Sequence, residues 1–337
     1  MGICISSASA KNHESKVIPQ FFDFGEENLY SCRIPGLASL YSQEGKKGPN
    51  QDSAVINQGY GLENGVFCGV FDGHGRNGRI VSRIVRDRLP SLILSQHKTL
   101  SSLYSNTGEG LDRDDTERVC NNDFVSTSKL DHWRVACTSA FKALDKELKL
   151  LEKLDCSGSG TTAVTIIKQG KDVIIANLGD SRAVLGTRSD EGNLMAVQLT
   201  TDLKPSVPQE AERIKNCRGR VFALEEETNI QRVWLPEDDT PGLAMTRAFG
   251  DFMLKSYGII AIPQMSHYHL SDKDEFLVLA TDGVWDVLSN EQVVSIVSSA
   301  ENEEAAAQAL VEEAVCAWKH KFQCTKTDDS TAICLFL

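Results

Sequence analysis

Val70-Phe71-Asp72-Gly73-His74-Gly75 is the stretch that decides the reading of this chain. A carboxylate, a glycine and an imidazole stand in consecutive positions, just after the apolar run Val66 to Phe71. An acid delivered at the end of a strand is well placed for metal binding, and Gly73 lets the backbone turn sharply. Asp-Gly pairs are also ordinary turns, so this segment alone leaves both readings open. The distant stretch Leu279-Ala280-Thr281-Asp282-Gly283-Val284-Trp285-Asp286 repeats the arrangement at the end of another apolar run. Asp328-Asp329 does so a third time, immediately before the apolar segment Thr331 to Leu337. Acids brought to strand ends from far-apart parts of the chain predict a convergent metal site.

Composition narrows the class. A chain of 337 residues that is 41% hydrophobic can bury one large core or two modest ones. A net charge of −12 without a Lys/Arg cluster argues against nucleic-acid binding. The ten cysteines show no C-x-x-C spacing, so they read as free thiols of a reducing compartment and not as a zinc site. The N-terminus has no secretory apolar region, and no apolar run approaches the ~18 residues needed to span a bilayer.

Residues 1–30 are polar and aperiodic, which predicts a tail ahead of a single folded domain over 31–337. Ile80, Val81, Ile84, Val85 and Leu89 repeat at helical spacing until Pro90, which is expected to interrupt the helix. From 95 to 132 the composition is rich in Ser, Thr, Asn, Asp and Gly, predicting a long polar insertion loop. Cys137, Phe141, Leu144, Leu148 and Leu151 then form an amphipathic stripe that packs into the core. Thr161 to Lys168 and Asp172 to Leu178 read as strands of a hairpin around Gln169-Gly170-Lys171. Ser181 to Leu185 and Leu194 to Leu199 are expected to continue that meander. Helices are predicted from Pro208 to Cys217, Glu291 to Ser299 and Glu303 to Trp318, with strands near Val221 and Val233. Hairpin-linked strands with helices grouped elsewhere predict an α+β domain of packed antiparallel sheets.

Several segments in a fixed order carry a resemblance. They are Asn50-Gln51-Asp52, Val70 to Gly75, Gly158-Ser159-Gly160-Thr161-Thr162-Ala163 and Ala176 to Ala183. Lys204-Pro205, Leu243 to Asp251, Ala280 to Val287 and Asp328 to Ile333 complete the set. In these the chain resembles the metal-dependent type 2C protein Ser/Thr phosphatases (the PPM family), and its C-terminal half is similar to a plant subgroup. The resemblance covers residues 33–337. It implies an αββα sandwich, two antiparallel sheets flanked by helices, with a dinuclear Mg²⁺ or Mn²⁺ centre at one end. Phosphoserine and phosphothreonine in phosphorylated proteins would be hydrolysed by direct attack of a water activated between the two ions.

The roles implied by the resemblance fall on particular residues. Asp72 would bridge both metals, the Gly73 carbonyl would ligate one, and Asp282 and Asp328 would hold the other. Asp180 and Asp286 match acids that hold a further, weaker metal, and they would look the same in sequence as plain turn acids. His74 is the candidate general acid for the departing alkoxide, or else a residue that only orients Asp72 or a water. Two departures stand out. Gln51 occupies a position where many members have Glu, offering an oxygen but no charge, so Asp52 becomes more important as a holder of water. Lys47 replaces a phosphate-binding Arg, giving a point charge in place of a bidentate fork. These departures keep open an alternative: a weakly active, phosphatase-like scaffold that binds signalling partners.

The N-terminus carries an unrelated signal. Met1-Gly2-Ile3-Cys4-Ile5-Ser6 fits the acceptor pattern for myristate on Gly2. One myristoyl chain holds a membrane only marginally, so palmitate on Cys4 is the expected second anchor. The expectation is a monomer at the cytoplasmic face of a membrane, the plasma membrane foremost, alongside a cytosolic or nuclear pool; an unmodified soluble tail is the other reading.

Overall fold

The computed structural model describes residues 29–34, 36–106, 122–321 and 327–337, so Gly2 and Cys4 lie outside the described residues. The chain begins with β1 (Leu29–Ile34), β2 (Ala38–Gln43), β3 (Ser53–Gln58), β4 (Val66–Phe71) and β5 (Gly73–His74). Two long helices follow, α1 (Gly78–Asn106) and α2 (Asn122–Lys149). Next come β6 (Gly160–Thr161), β7 (Ala163–Gln169), β8 (Asp172–Leu178), β9 (Arg182–Arg188), β10 (Leu194–Gln198) and α3 (Pro208–Asn216). After them lie β11 (Arg220–Ala223), β12 (Gln231–Trp234), β13 (Pro241–Leu243), β14 (Phe249–Gly250) and α4 (Phe252–Lys255). The last elements are β15 (Gln264–His269), β16 (Asp274–Ala280), α5 (Asp282–Trp285), α6 (Asn290–Ser298), α7 (Ala306–Lys321) and β17 (Ser330–Phe336).

Every residue of β4 is buried, because one face of the strand meets a second sheet and the other meets helices. A strand covered on both faces must be apolar throughout, which is why Val66 to Phe71 does not alternate. β4 lies in a five-stranded antiparallel sheet of order β15-β8-β7-β4-β3. Facing it is a six-stranded antiparallel sheet of order β1-β2-β17-β16-β9-β10. Ile56, Val70, Ile166, Ile175, Leu279 and Ile333 interdigitate between the two. On the outer face of the five-stranded sheet, Phe67 and Phe71 pack against Leu89 of α1 and Phe141 and Leu144 of α2. On the other outer face, Val278 and Cys334 pack against Val293 of α6 and Leu310 of α7. Each such side chain contributes roughly 1.5–3 kcal/mol when fully buried. The result is the expected α+β sandwich of two antiparallel sheets flanked by helices.

The structure departs from the sequence reading in four places. α1 runs straight through Pro90. Proline inside a helix costs about 3 kcal/mol, but Leu89 and Ile93 on either side are fully buried against α2 and the sheet, and that packing outweighs it. The predicted loop over 95–132 is helical at both ends, since α1 continues to Asn106 and α2 begins at Asn122. Hydroxyls that suggested a loop instead bond back to helix carbonyls, Thr99 Oγ1 to Ser95 O and Ser102 Oγ to Thr99 O. Leu151 lies past the end of α2 and is exposed, so the buried stripe ends at Leu148. Finally, β8 and β9 do not pair; the chain changes sheets at Gly179-Asp180-Ser181, and this crossing throws Asp180 out at the end of the sandwich.

Candidate active site

Four strand ends converge. β4, β8 and β16 deliver Asp72, Asp180 and Asp282 just past their C-terminal ends, while β17 receives Asp328 just before its start. β16 and β17 are antiparallel neighbours, with Ala280 opposite Ala332, so Asp282 and Asp328 necessarily fall at the same end. The backbone of Asp72 is clamped: its carbonyl accepts from Thr161 Oγ1 and Thr162 N, both at 2.9 Å, and its N–H donates to Thr162 Oγ1. A Cβ on Gly73 would lie 2.5 Å from the Gln51 carbonyl oxygen and 2.6 Å from that of Gly78. Only glycine fits between those two backbones.

The acids repel one another. Burial pushes the Asp72 carboxyl well above the ordinary carboxylate range, and the charges of Asp282, Asp52, Asp328 and Asp180 push it the same way. Asp282 is raised for the same reasons, burial first and then Asp180, Asp328 and Asp286. Asp52 is raised by burial and by the Asp329 charge, against hydrogen bonds from Thr331 and Thr281. Thr281 Oγ1 donates to Asp52 Oδ2 at 2.9 Å and accepts from Thr331 N, tying Asp52 to both strands. Two lysines offset part of this charge. Lys47 Nζ donates to Asp328 Oδ2, and Lys204 Nζ lies 3.7 Å from both Asp180 Oδ2 and Asp286 Oδ1. Lys47, Lys204, Asp180, Asp282, Asp286 and Asp328 share one cleft of about 780 Å³.

A set of carboxylates with this mutual repulsion suits hard divalent cations and offers nothing to a thiophilic one. Asp180 Oδ1 is buried without a hydrogen-bond partner, an acceptor with a lone pair to give. The residues therefore fit Mg²⁺ or Mn²⁺.

Gln51 is held differently from a ligand oxygen pointing freely into the cleft. Its Nε2 donates to Gly75 O at 3.0 Å, and its backbone N–H donates to Asp329 Oδ2. Asp329 Oδ1 accepts from Gly45 N as well, so this acid staples two loops beside Asp328. His74 Nε2 stands 2.7 Å from Asp251 Oδ2, and its Nδ1 is buried with no partner. Burial works to lower the His74 pKa, but the charge and hydrogen bond of Asp251, with Asp180 adding to them, raise it above the usual value.

The structure thus brings together Asp52, Asp72, Asp180, Asp282, Asp286 and Asp328 with Lys47, and sets His74 beside them in sequence and in space. Three participants carried no assigned role in the sequence. Asp251 is 177 positions from His74, and no spacing rule links them. Lys204 sits in the Lys204-Pro205 segment, and Asp329 was visible only as the neighbour of Asp328.

Comparison with known proteins gives a consistent picture. A family model for protein phosphatase 2C matches residues 48–318. "Probable protein phosphatase 2C 12" of Oryza sativa subsp. japonica is 50% identical over 356 residues, covering 100% of this chain and 92% of its own length. "Probable protein phosphatase 2C 72" of Arabidopsis thaliana is 50% identical over 317 residues, covering 93% of this chain and 90% of its own. The crystal structure of a serine-threonine phosphatase 2C from Toxoplasma gondii superposes with a TM-score of 0.75 at 26% identity. It covers 91% of this chain and 98% of that one.

Proposed function

The chain belongs to the protein phosphatase 2C family and is a protein serine/threonine phosphatase; we propose that it hydrolyses phosphoserine and phosphothreonine by direct attack of water on phosphorus. The observation that supports this mechanism is the crowd of mutually repelling, buried and half-buried carboxylates at one end of the sandwich. Asp72, the Gly73 carbonyl, Asp282 and Asp328 would hold two Mg²⁺ or Mn²⁺ ions, with Asp180 and Asp286 holding a further, weaker one. Such ions supply a nucleophilic water at neutral pH and positive charge for the phosphoryl oxygens.

The chain's own groups do the rest. Asp52, anchored by Thr281, accepts a hydrogen from the attacking water and so orients it. Lys47 and Lys204 place ammonium charge along the cleft that a phosphate must enter. His74, with Nε2 engaged by Asp251, has Nδ1 left to hand a proton to the departing serine or threonine oxygen. The scaffold alternative would fit a site that had lost a bridging or terminal acid, and this one retains them all. The chelator-treated full chain should release phosphate from a phosphoserine peptide only after Mg²⁺ or Mn²⁺ is restored. Equal turnover in excess chelator would sink the mechanism.

The tail serves as an address in this reading. The folded domain begins two residues before the expected boundary, at Leu29 of β1; the tail ahead of it tethers the catalytic domain, and Gly2 and Cys4 carry myristate and palmitate that hold a monomeric enzyme at the cytoplasmic face of a membrane. Gly2→Ala should shift the protein to the soluble fraction with unchanged activity on soluble peptides. A wild-type protein that takes up no labelled myristate would remove this part of the proposal.

A further inference from the structure

At the opposite end of the five-stranded sheet, a second group of metal-ligating side chains meets. Asp172 opens β8 and lies directly across from His269 of β15, while His267 is opposite Ile174. Alternation along a strand puts His267 and His269 on one face, and the cross-strand neighbour of His269 shares it. Met265, two residues before His267, packs on the core beneath α1 and α2, so the two imidazoles continue that row out to the sheet edge. His267 Nε2 and His269 Nδ1 both stand 2.9 Å from the same Asp172 oxygen, Oδ1. All the ligand atoms lie within 4.8 Å of one another.

We propose that Asp172, His267 and His269 form a separate metal site that takes a borderline transition cation, Zn²⁺ foremost. Four arguments carry it. The donors are two imidazoles and one carboxylate, a set that suits Zn²⁺, Cu²⁺ or Ni²⁺ and that Mg²⁺ does not seek. The spacing is close to what coordination needs, since ligands ~2.0–2.1 Å from a tetrahedral Zn²⁺ lie roughly 3.3 Å apart. The two histidines come from one strand and the acid from its hydrogen-bonded neighbour, so the backbone ladder fixes their separation. Asp172 also lines a cavity of about 340 Å³ walled by His97 of α1 and by His132 and Trp133 of α2, leaving room for water beside the carboxylate. Binding needs no loss of a buried charge. In the free chain these two ring nitrogens carry the protons of their contacts with Asp172 Oδ1. On binding each proton moves to the other ring nitrogen through solvent, and the freed lone pair goes to the ion.

This site is remote from the carboxylate cleft. Asp172 is the first of the seven residues of β8 and Asp180 lies two past its last, so at ~3.3 Å per residue the strand alone separates them by roughly 20 Å. The two centres therefore sort cations by chemistry, oxygen donors at one end and imidazoles at the other.

The test uses the full chain, stripped with chelator and returned to saturating Mg²⁺ to occupy the carboxylate centre. Titrated with ZnCl₂ in a calorimeter, the wild type should bind one equivalent more than the His267→Ala/His269→Ala variant. Asp172→Asn should weaken that equivalent at least about tenfold, the cost of disturbing even an outer partner of a metal ligand. Mg²⁺-supported phosphatase activity should be the same in all three, since none of the three residues belongs to the cleft. Identical Zn²⁺ stoichiometry in the wild type and the double variant would overturn the proposal. A check that needs no variant is the visible spectrum with CoCl₂: a wild-type chain in saturating Mg²⁺ that shows no Co²⁺ ligand-field bands would overturn it too.

Discussion

The cleft aspartates and the lone Glu210 of α3 are held in this fold on opposite electrostatic plans. In the cleft, Asp72, Asp282 and Asp52 are all held above the ordinary carboxylate range by burial and by one another. On α3, Glu210 is buried, at 3% exposure, more deeply than the half-buried Asp72 and Asp282. Burial acts to raise it as well, but hydrogen bonds from Arg247, Arg213 and Thr246 overcome that and hold it at about 2. Arg213 and Arg247 each reach both of its carboxylate oxygens, at 2.6–3.0 Å. The difference lies in the partners supplied by the chain. A buried acid given two guanidiniums is a staple between α3 and the segment after β13; six crowded carboxylates given two lysines form a site that needs external cations.

The widest gap between the two should appear on neutralising one acid in each. Asp72→Asn is expected to lower turnover of a phosphoserine peptide by about 10³-fold or more, as expected when the dominant electrostatic element of a site is removed. Its thermal stability in chelator should hold or rise, because a repelled charge has gone. Melting in chelator and kinetics in Mn²⁺ measure both. A variant that kept activity within a few-fold of wild type would end the assignment of Asp72 as the central ligand.

Glu210→Gln should do the reverse. It should cost about 3 kcal/mol of stability at neutral pH, the loss expected when a buried ion pair is broken from one side, while the folded fraction keeps its turnover. The acid limbs should also slope oppositely. Glu210 is depressed on folding, so its contribution is full above ~4.5 and is lost as pH falls toward about 2. Asp72 is raised, so without cations its ionisation costs stability as pH rises through its folded pKa. Chemical denaturation across the acid range, with and without Mg²⁺, reads both slopes. Parallel slopes for wild type and Glu210→Gln would deny the staple.

His74 lies between the two plans, a base whose acid partner is Asp251. If His74 donates a proton, His74→Ala should cost about 10²-fold on phosphoserine peptides and far less on p-nitrophenyl phosphate, whose leaving group needs no proton. The protonated form is lost as pH rises through the His74 pKa, so the rate on peptides falls on the alkaline side. Asp251→Asn removes the leading influence that raises that pKa and leaves burial, which lowers it. The falling limb should therefore move to lower pH. Equal losses on both substrates would assign His74 a purely orienting role.

How much of this was readable in sequence depends on distance along the chain and on packing. The cleft acids were legible because each follows or precedes an apolar run, so strand end and carboxylate are read together. Glu210 was not, since its arginines lie 3 and 37 positions away and nothing in the pattern ties them. α1 beyond Pro90 and the start of α2 were hidden because their polar stretches carry no sustained apolar period. Gln264–His269 reads as a polar segment because β15 is an edge strand with half its side chains outside. That strand carries the histidine site.

The smallest expected effect sharpens the comparison most, because it adds an acid to the crowded side. Gln51→Glu places a fresh carboxylate beside Gly73, where Gln51 now commits its amide N–H₂ to the Gly75 carbonyl. Glutamate cannot make that bond, and its charge would meet the Gly75 oxygen as a repulsion, so the side chain has reason to swing toward the cleft. Without cations the variant should be slightly less stable than wild type, since one more negative charge joins a set that already repels. With cations the sign reverses. Half-maximal activity should then be reached at a few-fold lower Mg²⁺ or Mn²⁺, roughly the effect of one added charge at a partly solvated site. The two measurements must move together: lower stability in chelator and a lower metal requirement. A Gln51→Glu enzyme with an unchanged metal requirement would show that position 51 only braces the Gly75 turn, and that the cation demand of the cleft is set wholly by the aspartates.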